Sequence, residues 1–145
     1  KLLLSPANMQ AKAGDTVLLN VVLVGGKELK GVHAEMDYPN DVLAFQGADE
    51  GSFLKLGGAP TSFVAKEIRP GLVMFDMGRT DGSGASGSGL VARVRFAVQK
   101  AGTARANFGV AEGITTAGDT VAIPPSFSII TVQAPPAGPG GAGGP

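Results

Sequence analysis

His33 is the only histidine in the chain, so any Ser-His-Asp triad would have to use it. It sits in the middle of an alternating segment, and no Gly-x-Ser-x-Gly turn that would strain a serine into a nucleophile occurs anywhere. These residue types argue for an exposed strand histidine rather than a general base. Zinc is short of ligands, because the chain has Cys 0 and His 1. Carboxylates at Asp37, Asp41, Asp49, Glu50, Asp76 and Asp81 could in principle form a calcium cage or a glycosidase pair. No Asp-x-Asp-x-Asp loop with a bidentate glutamate follows, however, and spacing alone pairs no two of them. The stretch TDGSGASGSG, residues 80–89, has the glycine content of a phosphate cradle. It lacks the Lys-Ser/Thr ending and the helix that such a cradle requires, since Leu90 opens a strand instead. A mobile loop between strands is expected there. No enzyme chemistry, cofactor or metal site is predicted.

The elements that carry these residues are strands. Residues 15–24, DTVLLNVVLV, put Val17, Leu19, Val21 and Leu23 on one face, leaving Thr16, Leu18, Asn20 and Val22 as a mixed second face. In GVHAEMDYPNDVLAF, residues 31–45, Val32, Ala34, Met36 and Tyr38 alternate with His33, Glu35 and Asp37. Pro39 ends that strand because it has no amide hydrogen for a ladder, and Val42, Leu43 and Phe45 open the next, the adjacent Val42 and Leu43 hinting at a corner. Residues 61–79 predict two strands joined at Arg69-Pro70-Gly71, with Val73, Phe75 and Met77 inward. Residues 88–100 place Leu90, Ala92, Val94, Phe96 and Val98 against an outer face of Val91, Arg93, Arg95, Ala97 and Gln99. Strands at 103–110 and 126–133 follow, the first with Ala104, Ala106, Phe108 and Val110 in phase and the last holding Phe127, Ile129, Ile130 and Val132. No sustained i, i+3, i+4, i+7 stripe predicts a long helix. About nine short strands at this spacing make an all-β sandwich or barrel.

Composition narrows the partners. The 145 residues suit one domain, residues 1–133, and the Pro/Gly tract at 134–145 reads as a flexible linker or tail because it has no large side chains to bury. Twelve basic and twelve acidic side chains leave no net field to draw the chain to nucleic acid or an anionic membrane. The longest apolar runs fall far below the roughly 18 residues that span a bilayer, so this segment is not expected to insert. Starting at Lys1 without Met, the chain reads as a piece of a longer protein. Sugar binding by stacking would need exposed aromatics, yet Trp is 0, Tyr is 1 and the phenylalanines fall mostly in phase with the core.

The ordered segments AGDTVLLNVVLVGG, GVHAEMDYPNDVLAFQG and GLVMFDMGRTDGSGASGSGLVARVRFAVQKAGTARANF resemble those of a cohesin-type domain over roughly residues 3–133. The corner departs from the family's usual Tyr-Asp-Pro-Asn, running Tyr38-Pro39-Asn40-Asp41. The resemblance implies a nine-stranded β-sandwich of jelly-roll topology and a non-catalytic role in binding a protein partner, a dockerin or another module, through one sheet face. It implies an extracellular or cell-envelope setting, including modules appended to outer-membrane secretins. By position it makes His33, Glu35, Asp37, Lys66, Arg93 and Arg95 the partner-binding residues, on a face formed by residues 31–38, 61–69 and 90–98. Arg93 and Arg95 are the favoured anchors, since guanidinium groups make directional, bidentate contacts. The alternatives are a carbohydrate-binding or adhesin-type sandwich, and a structural domain of a secretion assembly that self-associates through an edge strand.

Overall fold

The computed structural model describes residues 1–134, so the tail expected at 134–145 lies, but for its first residue, outside the described residues. Ten strands and one short 3₁₀ turn make up this part: β1 (Leu2–Ser5), β2 (Asn8–Lys12), β3 (Thr16–Asp37), β4 (Leu43–Glu50), the turn (Phe53–Gly58), β5 (Thr61–Arg69), β6 (Leu72–Arg79), β7 (Ala85–Val98), β8 (Gly102–Thr115), β9 (Thr120–Ala122) and β10 (Phe127–Gln133). The expectation was nine strands. The two strands not expected are β2, where Met9 and Ala11 alternate with Asn8, Gln10 and Lys12 over only five residues, and β9, whose three residues are all exposed.

β3 organises the molecule. The two strands read at 15–24 and 31–38 are one continuous element of 22 residues. Its first half pairs antiparallel with β1 on one side and β7 on the other, and β7 in turn carries β4. Its second half pairs with β6 and β8; β5 extends the sheet beyond β6, and β10, β2 and β9 extend it beyond β8. One strand thus runs through both layers of a β-sandwich. The Gly25-Gly26 stretch, which falls between the two strands read from sequence, is a sharp irregularity inside the one strand. Register shifts fall on both sides of Gly26, and positive φ occurs at Gly25 (+74°) and Glu28 (+49°). The buried positions are Val17, Leu19, Val21 and Leu23 before the crossing and Val32, Ala34 and Met36 after it, so the inward phase changes parity.

The core between the layers joins these residues to Leu43, Phe53, Val73, Phe75, Met77, Val94, Phe96 and Ile130, all 4% exposed or less. Phe96 lies at its centre, with its ring 4.9 Å from that of Tyr38 and 6.2 Å from that of Phe45. Close-packed aromatic pairs of this kind add about 0.5–1.5 kcal/mol each beyond burial. The expected turn at Pro70-Gly71 is present, with Gly71 at φ +94°. The corner at residues 39–42 is also present, closed by amide bonds from Val42 and Leu43 to the Pro39 carbonyl.

The glycine-rich loop differs from its expected form. β7 begins at Ala85 rather than Leu90, which leaves only residues 80–84 between strands. Arg79 ties that segment down: Nη1 donates to the Gly84 carbonyl at 3.0 Å and to Ser83 Oγ at 3.1 Å. The same guanidinium reaches back to the 3₁₀ turn, donating to the carbonyls of Leu54 at 2.8 Å and Leu56 at 2.6 Å. Asp81 completes the turn by accepting from the Ser83 amide and hydroxyl, and that hydroxyl holds its carboxyl below the usual range.

Candidate functional face

Polar side chains on a strand line up with those at the matching register on its neighbours. His33 lies opposite Asp76 of β6 on one side and Glu112 of β8 on the other, and Asp76 lies opposite Val64 of β5. The next row is Lys66, Met74, Glu35 and Val110, and a third brings Leu72, Asp37 and Asn107 together. The outer surface of β5, β6, the second half of β3 and the adjoining part of β8 is therefore one continuous face. Four carboxylates, Glu35, Asp37, Asp76 and Glu112, share it with Lys66, with Arg69 opposite Leu72, and with apolar Val64, Met74 and Val110. Val64 is 47% exposed.

His33 is the centre of the polar network. Its Nδ1 lies 2.7 Å from Asp76 and its Nε2 3.4 Å from Glu35. The Asp76 hydrogen bond is the largest cause of a raised His33 pKa; partial burial opposes it, while the Asp76 charge and Glu35 reinforce it. Two carboxylates around one imidazole make a charge cluster with no reacting group. Among the described residues, both ring nitrogens bond carboxylates rather than a hydroxyl, and no group of three His, Cys, Asp or Glu is arranged to hold a metal ion.

Beyond the His33 row, Gly31 pairs with Gly78 and leaves the sheet without side chains. A depression of about 420 Å³ results, bordered by Ser62, Asp76, Thr80 and Ile114. At the far end of the face Tyr38 turns inward, its hydroxyl donating to Glu67 on β5. Burial, and then that carboxylate, push the phenol up to about 12.

Of the residues singled out from sequence, His33, Glu35, Asp37 and Lys66 share this face. Arg93 and Arg95 do not, which corrects the expectation that residues 90–98 belong to it. β7 pairs with the first half of β3 and with β4, so both arginines project from the other sheet. There Arg93 donates to Asn20 at 3.0 Å and Arg95 to Asp49 at 2.5 Å. Alternation says which side chains point outward, but it does not say from which layer. Sequence reasoning missed Glu112 and the place of Asp76 beside His33, because register across strands leaves no local signal. The signal that could have found Asp76 is its place as the one polar residue between inward Phe75 and Met77.

No protein-family model matches the sequence, and no curated protein matches it. Solved structures do match the fold. A non-cellulosomal cohesin from the archaeon Archaeoglobus fulgidus superimposes with a TM-score of 0.74 at 15% identity, over 92% of this chain and 90% of that one. The sixth cohesin of Acetivibrio cellulolyticus scaffoldin B, solved with a Cel5 dockerin mutant, gives 0.77 at 15% identity over 92% and 98%. A Clostridium thermocellum OlpC cohesin in a type I cohesin–dockerin complex gives 0.76 at 12% identity over 92% of each chain. At these identities the likeness lies in the backbone rather than in shared side chains, and what it establishes is that the chain has the jelly-roll β-sandwich fold of cohesin domains.

Proposed function

We propose that the chain is a non-catalytic interaction module that binds a protein partner through the outer face of β5, β6, the second half of β3 and the adjoining part of β8. One observation carries the reading: Glu35, Asp37, Asp76 and Glu112 share with His33 an outer face on which Val64 is exposed and Met74 and Val110 are half-buried. Apolar contact area within a rim of net acidic charge suits a specific docking surface, the first for affinity and the second for choice of partner. A dockerin-like module with a cationic contact surface is the partner this face suits, and the fold likeness to cohesins supports that class. The module acts as part of a larger secreted or envelope protein. Arg93 and Arg95 lie outside the docking face.

Surface plasmon resonance of the immobilised domain against a panel of recombinant dockerin modules tests this. The expectation is saturable binding that Glu35→Lys with Asp76→Lys weakens by about a hundredfold, as for like charges brought together at an interface. Arg93→Ala with Arg95→Ala should leave it unchanged. Binding lost on the arginine pair and kept on the acidic pair would move the site to the opposite sheet. Silence across the whole panel would remove dockerins as the partner class.

A further inference from the structure

From sequence the last strand holds Phe127, Ile129, Ile130 and Val132, with its inward side open. In the structure Ser128, Ile130 and Val132 are buried, while Phe127 stands outside, 44% exposed, with the guanidinium carbon of Arg105 at 4.0 Å from its ring centroid. This sheet thus carries an exposed aromatic.

The surroundings of that pair are distinctive. β10 pairs with β8 on one side and with β2 on the other. Outward positions on the three strands form rows: Asn107 with Phe127, then Arg105 with Ile129 and Asn8, then Thr103 with Thr131 and Gln10, and last Gln133 with Lys12. None of these positions carries a carboxylate. Asp37, opposite Asn107, marks the border with the acidic half of the same sheet. The strip ends in a recess of about 340 Å³ lined by Gln10, Lys12, Asp15 and Gln133, where Asp15 is engaged by the Lys12 amide at 2.8 Å. One face is thus divided into an acidic, apolar half and a cationic half of amides and hydroxyls.

We propose that this second half, over β8, β10 and β2, is a binding strip for an acidic polysaccharide bearing uronate groups. Each part of the strip matches a part of such a chain. Amide and hydroxyl side chains both donate and accept, as a row of sugar hydroxyls requires. Phe127, 44% exposed, offers aromatic surface to the C–H face of a pyranose. Arg105, its guanidinium carbon over that ring, supplies N–H donors for a charge-assisted contact with a uronate carboxylate. Lys12 lies about 13 Å along β2 from the Asn8 row, given about 3.3 Å per residue, so a second carboxylate can be met only by an extended polymer. Protein partners of the acidic half are cationic, so they are not drawn here, and the two sites are independent.

Native affinity electrophoresis of the whole chain through gels containing polygalacturonate tests the proposal, with hydroxyethylcellulose gels run in parallel. The expected result is retardation by polygalacturonate that Arg105→Gln and Phe127→Ala each weaken about fivefold or more, as loss of an anchor does. Both side chains are exposed, so circular dichroism should show the fold retained; Gln10→Ala with Thr131→Ala provides a second, milder loss at the same strip. Three results would overturn the assignment: no retardation in polygalacturonate, retardation that all three variants leave intact, or retardation by hydroxyethylcellulose alone.

Discussion

Nδ1 of His33 lies 2.7 Å from Oδ1 of Asp76, its register partner on β6. The protonated imidazole is the form this pair favours, so the folded pKa is raised above the ordinary 6.5. The sign follows: the pair's contribution to stability is fully present below pH 6.5 and is lost as pH rises through the raised folded value. An NMR titration of the single histidine should therefore place its midpoint above 6.5. Asp76→Asn should bring it down further than Glu35→Gln does, since the Asp76 hydrogen bond is the largest cause. A midpoint at or below 6.5 in the native chain would contradict the pairing.

Tyr38 is the only tyrosine, so phenolate absorbance reports on it alone. Its hydroxyl, mostly buried against Phe96 and donated to Glu67, should stay protonated until about pH 12. Stability from this group is present below pH 10 and declines as pH climbs toward the folded value, because the unfolded chain ionises first. Glu67→Gln should lower the absorbance midpoint. A spectrophotometric titration centred near 10 would mean that the ring is solvated.

Arg79 bonds the segment 80–84 and the 3₁₀ turn with one guanidinium. Arg79→Ala strands the carbonyls of Leu54, Leu56 and Gly84 at once, and should cost about 2–4 kcal/mol in urea unfolding. Arg79→Lys should recover little, because a point cation cannot reach in four directions. Amide exchange in residues 53–58 and 80–86 should quicken in both variants. Unchanged exchange there would show that the glycines hold their conformation without the clamp.

What the sequence tells about this fold is mostly a matter of parity. Val32, Ala34, Met36, Val73, Phe75, Met77, Val94, Phe96, Ala104, Ala106 and Phe108 are read as inward from alternation alone, and all are buried. The misreadings occur where an extra residue changes the phase. The register shift between Val21 and Val22 buries Val91 and half-exposes Leu90, and the irregularity at Gly109 moves Val110 from the inward row to the outer face that holds His33. Strands 15–24 and 31–38 are read as two because the glycines between them suit a break as well as the in-strand bulge they form. The candidate face was half legible for a related reason. His33, Glu35 and Asp37 share a strand and needed only alternation, whereas placing Arg93 and Arg95 required knowing which layer β7 joins, a fact set by pairings tens of residues away.

Because the polypeptide from Thr16 to Asp37 belongs to both layers, neither can melt while the other survives. Denaturation should be all-or-none, with the face that holds His33 and the opposite sheet vanishing at a single midpoint. A lesion at the crossing glycines would then disturb that face from a distance without touching a residue on it.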